Sequence, residues 1–157
     1  MVFKAWAPLS MAAGLVWSAA TVTHVLAGEW ATKEEAQAIV KKAVALIKEQ
    51  GQDKAYPAFI SKTGGFTDRD LYVVVYRHDG KVLAHGANEK LVGKDMIEAQ
   101  DVDGKYFVRE RVELARKGSP FWQDYKFVNP TSKKVEPKQM YCEPLNDTAV
   151  CAGVYKL

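Results

Sequence analysis

A chain of 157 residues, 48% hydrophobic and 26% charged, has room for one folded core and is too apolar to belong to the disordered class. Its 22 Lys and Arg residues stand against 19 Asp and Glu, and the net charge of +3 is not gathered into one patch. That balance excludes the electrostatic footprint of a nucleic-acid-binding protein.

Residues 1–27 read as an export signal. Lys4 gives a short basic start, Met11-Ala-Ala-Gly-Leu-Val-Trp17 is an apolar run, and Val25-Leu26-Ala27 ends in the small residue a signal peptidase reads. Residues 28–157 would then be one exported domain, the alternative being an uncleaved membrane anchor. No later run approaches the length of a membrane span. Two cysteines, Cys142 and Cys151, lie in the exported part and suit one disulfide in an oxidising compartment.

Thr32-Lys-Glu-Glu has the form of a capping box. Ala36, Ile39, Val40, Ala43, Val44 and Ile47 recur at helical spacing until Gly51, so the spacing predicts an amphipathic helix over 32–50. Residues 52–69 read as a linker of modest order, with Tyr56, Pro57, Phe59, Ile60 and Phe66 covering an edge of the core.

Residues 71–86 read as two antiparallel strands joined by a two-residue turn at Asp79-Gly80. That turn sets Tyr76 opposite Leu83 and Val74 opposite His85. Tyr72, Val74, Tyr76, Leu83 and His85 would share one face, and Leu71, Val73, Val75, Val82 and Ala84 the other. The aliphatic face suits a helix; the face carrying phenols and an imidazole suits a pocket wall.

A polar loop over 87–104 follows, with one helical turn expected near Leu91, and then a helix over 105–117. Val108, Val112 and Ala115 form its apolar row beside Phe107, and Arg111 falls on the same side. Such an arginine either snorkels to water or points into a cavity and needs an anion.

Three strands close the chain, over 120–128, 135–143 and 150–157, with Pro137 suggesting an irregular start or a bulge in the second. A turn at Asn146-Asp147 would place Cys142 opposite Cys151 and Lys138 opposite Tyr155. Strict alternation sets Trp122 and Tyr125 on opposite faces, and likewise Lys138 and Tyr141. The expected fold is α+β: a five-stranded antiparallel sheet, with the long helix on one face and loops and a short helix on the other.

Asp70 to His85, D-L-Y-V-V-V-Y-R-H-D-G-K-V-L-A-H, resembles the central hairpin of the single Cache domain. Asn88-x-x-Leu91-x-Gly93-Lys94-Asp95, Asp101-x-Asp103-Gly104-Lys105, Asn129-Pro130, Lys138-x-x-Tyr141 and Gly153-Val154-Tyr155 follow in the order of that family. The resemblance spans residues 32–157. It implies a PAS-like extracytoplasmic sensor of a small organic carboxylate. No cofactor or metal is expected, since Asp101 and Asp103 beside Gly104 lack the full calcium-loop pattern. Gly86 and Glu89 stand where the family often has proline, so the loop over the pocket is expected to differ.

A small carboxylate is best held by a cation and neutral donors in an apolar pocket. Together with the resemblance, this makes Tyr72, Tyr76, His85, Arg111, Trp122, Tyr125, Lys138 and Tyr141 the candidate ligand-binding residues. Because the sequence ends at Leu157, the expected role is a periplasmic module acting through a membrane receptor or transporter, with homodimerisation through the long helix also open. The alternative is an interaction module that kept the fold and lost the ligand. No G-x-S-x-G, H-E-x-x-H or G-x-x-x-x-G-K-[ST] pattern is present to suggest an enzyme.

Overall fold

The computed structural model describes residues 29–156. The expected leader over 1–27 lies outside the described residues. Helix α1, Lys33–Gln50, starts with the capping box: Thr32 Oγ1 accepts from the Glu35 amide, and Glu35 Oε2 accepts from the Thr32 amide at 2.7 Å. Gly51, at φ 80°, ends it. Ala36, Val40, Ala43, Val44 and Ile47 are buried, so the predicted stripe faces the core.

The expected linker is in part a second helix, α2, Gln52–Ile60. Pro57 inside it hides the signal, because proline removes a helical hydrogen bond and normally marks a break. Ala55 and Phe59, four residues apart, are nonetheless both fully buried. A two-residue strand β1, Thr67–Asp68, follows and pairs with β2, Leu71–Arg77.

Strand β3, Val82–His85, pairs with β2 through Val74↔His85 and Val75↔Ala84, as expected. The turn differs. The Arg77 amide bonds to the Lys81 carbonyl, so the loop is the three residues His78, Asp79 and Gly80, with Gly80 at φ 91°. The register at the turn is therefore one residue short, Tyr76 pairs with Val82, and a bulge at Leu83 restores it. Val82 joins the aromatic face and Leu83 packs toward the helices, the reverse of the expectation.

The one-turn 3-10 helix Glu89–Leu91 and α3, Phe107–Ala115, come next. Strands β4, Phe121–Val128, β5, Val135–Leu145, and β6, Thr148–Tyr155, complete an antiparallel sheet. Its order is β1-β2-β6-β5-β4, with β3 also on β2: six strands against the five expected, the addition being β1. Strands β4 and β5 pair without interruption past Pro137, which faces Lys126, so no bulge occurs there. Cys142 and Cys151 face each other across the β5–β6 hairpin and form the disulfide.

The sheet separates two cores. On one side α1 and α2 pack on Leu71, Val73, Val75, Val150 and Ala152. On the other, α3 and the 87–104 loop cover Tyr72, Val74, Tyr76, Met140 and the disulfide. Among the described residues no helix is long and apolar enough to cross a membrane.

Candidate functional site

Strand pairing fixes which side chains meet on the α3 side. Tyr125, Lys138 and Tyr155 form one row across β4, β5 and β6, and Gln123, Met140 and Gly153 form the next. Val74 lies level with both Cys151 and His85, which brings the imidazole onto the same face. Helix α3 lays Phe107, Val108 and Arg111 over these rows.

Arg111 is fully buried. Its Nε donates to Gln123 Oε1 at 3.0 Å, and Gln123 Nε2 donates to the Phe107 carbonyl. The guanidinium lies 4.9 Å from each of the Tyr76 and Tyr125 ring centres. Among the described residues Nη1 and Nη2 are buried and make no well-formed hydrogen bond, although the guanidinium is close enough to the Tyr76 and Tyr125 hydroxyls to hold back the rise that burial causes in those phenols. A guanidinium held in place at one end and unsatisfied at its fork is suited to a bidentate anion.

Lys138 is equally buried. Its side chain runs past Gly153, where a Cβ would stand 2.9 Å from Lys138 Cε, so glycine gives the ammonium its passage into the core. Nζ donates to the Tyr155 hydroxyl at 3.3 Å and lies 3.9 Å from the Tyr72 ring centre. Tyr155 Oη in turn donates to the Val128 carbonyl. Burial drives the Lys138 pKa well below that of a free lysine, and the Arg111 charge adds to the effect.

His85 stacks on Tyr72 with ring centres 5.0 Å apart. Its Nδ1 accepts the Asn88 amide at 3.0 Å, which puts the ring proton on Nε2 as a donor. Burial first, then the Lys138 and Arg111 charges, push its pKa down to about 3, so the ring is neutral. Burial also raises the Tyr72, Tyr76, Tyr125 and Tyr155 phenols, which remain proton donors at neutral pH. The Arg111 cation, the Lys138 amine and neutral donors thus converge, and among the described residues no carboxylate lies at ion-pair distance from Arg111 or Lys138.

A cleft of about 350 Å³ leads from the surface to Tyr72 and His85. Asn88, Leu91 and Met96 of the covering loop and Phe127 of β4 form its walls. The Lys138 ammonium lies behind the Tyr72 ring, and Arg111 lies between Tyr76 and Tyr125.

Six of the eight residues singled out from sequence are therefore together: Tyr72, Tyr76, His85, Arg111, Tyr125 and Lys138. Trp122 and Tyr141 are not. They pair with each other on the α1 side, rings 5.1 Å apart, with Lys33 over the indole. The unbroken β4–β5 register is the reason, since it leaves strict alternation in force. Gln123 and Tyr155 were not singled out. The first carries a signal, a polar side chain two residues before an inward tyrosine; the second shares a row with Lys138 through the pairing that aligns the cysteines.

A family model described as Single Cache domain 2 matches residues 14–155. The chain belongs to the single Cache family. Single Cache domains are extracytoplasmic sensor modules. Among solved structures, a Cache chemosensory domain described for carboxylic acid recognition is 20% identical, with a TM-score of 0.68 over 78% of this chain and 91% of that one. A methyl-accepting chemotaxis protein from Vibrio parahaemolyticus RIMD 2210633 is 21% identical, with a TM-score of 0.66 over 78% of this chain and 87% of that one. A periplasmic sensor domain of a chemotaxis protein is 22% identical, with a TM-score of 0.62 over 78% and 88%. At these identities the likeness is one of fold. No curated protein matches the chain.

Proposed function

We propose that this single Cache domain binds a small organic carboxylate outside the cytoplasm, without acting as an enzyme, and that a membrane receptor or transporter reads the bound state. The observation that carries the reading is the buried pair Arg111 and Lys138, with both guanidinium Nη atoms unsatisfied. Burying the Arg111 cation beside a second basic group costs several kcal/mol unless charge and hydrogen bonds compensate. A carboxylate would supply two acceptors to the Arg111 fork and a counter-charge to Lys138. Tyr72, Tyr76, Tyr125 and His85 would supply neutral donors and the apolar walls. The carboxylic acid recognition attributed to one structural relative agrees with this chemistry.

The cleft is lined by Tyr72 and His85 and not by Arg111 or Lys138, so a ligand that reaches these two would have to displace side chains of the cleft floor. The domain would be exported with residues 1–27 removed, so that the mature protein starts at Gly28.

A thermal-shift series with acetate, propionate, lactate and pyruvate tests the carboxylate reading. A ligand at 100 times its Kd adds about 2.7 kcal/mol of stability. Wild type is expected to respond to at least one of these acids, and Arg111→Ala to none. No response of wild type to any short carboxylate at millimolar concentration would refute the reading.

A further inference from the structure

The cleft that ends on Tyr72 and His85 has walls that a short acid leaves unused. Leu91 and Met96 of the covering loop form one wall, and Phe127, Val128 and Pro130 form the other. The floor is buried and polar, with the Tyr72 phenol and with His85, whose ring proton is on Nε2. Among the described residues that line the cleft, Lys133 is the one cation, and it is exposed at the mouth.

Both walls are held in place by the protein itself. The Met96 amide donates to the Gly80 carbonyl, the Gly93 amide to the Val82 carbonyl and the Val82 amide to the Lys94 carbonyl, so the covering loop is stitched along β3. The opposite wall ends in a turn built on Asn129, which is fully buried. Asn129 Oδ1 accepts the Thr131 amide and Nδ2 donates to Glu136, while its carbonyl accepts the Lys133 amide. A cleft between two anchored walls stays open, as pre-formed small-molecule sites do. Its volume of about 350 Å³ is that of about twelve waters at ~30 Å³ each. Acetate, propionate, lactate and pyruvate have four to six non-hydrogen atoms and would leave most of the apolar wall in contact with water.

We infer that the ligand of this domain is a carboxylate with an extended apolar body, a medium-chain or aryl-substituted acid, which points its carboxylate at the floor and lays its body between Leu91 and Met96 on one side and Phe127 on the other. The inference rests on the carboxylate reading above. Each methylene buried between the walls strengthens binding about threefold to fourfold. The orientation follows from what lies at each end: the basic groups Arg111 and Lys138 stand behind the floor, whereas the exposed Lys133 charge is solvated and adds little.

Calorimetry with acetate, propionate, butyrate and hexanoate on the wild-type chain tests the inference. Affinity is expected to rise along the series, with hexanoate bound at least tenfold more tightly than propionate. Propionate bound as tightly as hexanoate, which needs no variant to observe, overturns the inference and leaves the carboxylate reading intact. Binding of none of the four removes both. Leu91→Ala is expected to weaken hexanoate at least threefold and acetate less than twofold. Equal weakening of the two acids overturns the inference, since Leu91 would then act on the carboxylate end. Lys133→Ala is expected to leave hexanoate binding within twofold of wild type. A tenfold loss would put the carboxylate at the mouth and overturn the inference as well.

Discussion

The two faces of one sheet differ in what they bury. The α1 side packs aliphatic side chains with Tyr56, Phe59, Phe66 and Tyr141, and among the described residues it buries no lysine or arginine. The α3 side holds Arg111, Lys138 and His85 among tyrosines and phenylalanines. Apolar burial favours folding by about 25 cal/mol per Å², whereas an unpaired buried charge opposes it. The comparison teaches that the helix side supplies the stability on which the other side's uncompensated charges depend. The same alternating strands serve both, because neighbouring side chains point in opposite directions.

Breaking the stabilising face should have the largest effect. Phe59 is fully buried against Phe66, ring centres 4.6 Å apart. Phe59→Ala is expected to cost about 3–5 kcal/mol in urea unfolding. A loss under 1 kcal/mol would mean that this face does not carry the fold.

The α3 face should respond to acid. The His85 pKa lies near 3 in the folded chain, against 6.5 when unfolded. Below pH 6.5 the unfolded chain therefore takes up a proton that the folded chain refuses. Stability from this group is fully present above pH 6.5 and is lost as pH falls toward 3. The loss is up to about 1.4 kcal/mol per pH unit within that window. His85→Gln should flatten this part of the stability–pH curve; an identical slope in the variant would remove His85 as the cause.

A further contrast is one of sign. Arg111→Met replaces a buried cation by an apolar side chain of similar length. It should leave stability unchanged or raise it by about 1–3 kcal/mol, while abolishing any carboxylate response. A strong loss of stability without ligand would show that the guanidinium is already compensated. The smallest effect belongs to the α1 terminus. Thr32→Ala removes the cap on Glu35 and should cost about 1 kcal/mol. An unchanged urea midpoint would show that the cap adds nothing to α1.

How much of this was legible in the sequence follows from what each signal depends on. The long helix, the disulfide partners and the Lys138–Tyr155 row depend on period and pairing, which are local arithmetic. Arg111 was legible because it falls in the apolar row of α3. Helix α2 was not, because Pro57 interrupts its pattern although Ala55 and Phe59 share its buried face. Alternation allowed only one of Trp122 and Tyr125, and one of Lys138 and Tyr141, to face the site; the sequence favoured Trp122 and Lys138, and the structure places Tyr125 and Lys138 there.

The hairpin between β2 and β3 has one residue too many in its turn and one too many in its strand, and the two cancel before His85. The direction of the imidazole is therefore insulated from the turn, much as a phase error is corrected downstream of where it arises. Deleting Leu83 would leave a regular ladder with Val82 still in the aromatic core and His85 still opposite Val74. Shortening the turn to two residues would either keep the bulge or, with a regular ladder, move His85 opposite Val73 and turn its ring to the other face.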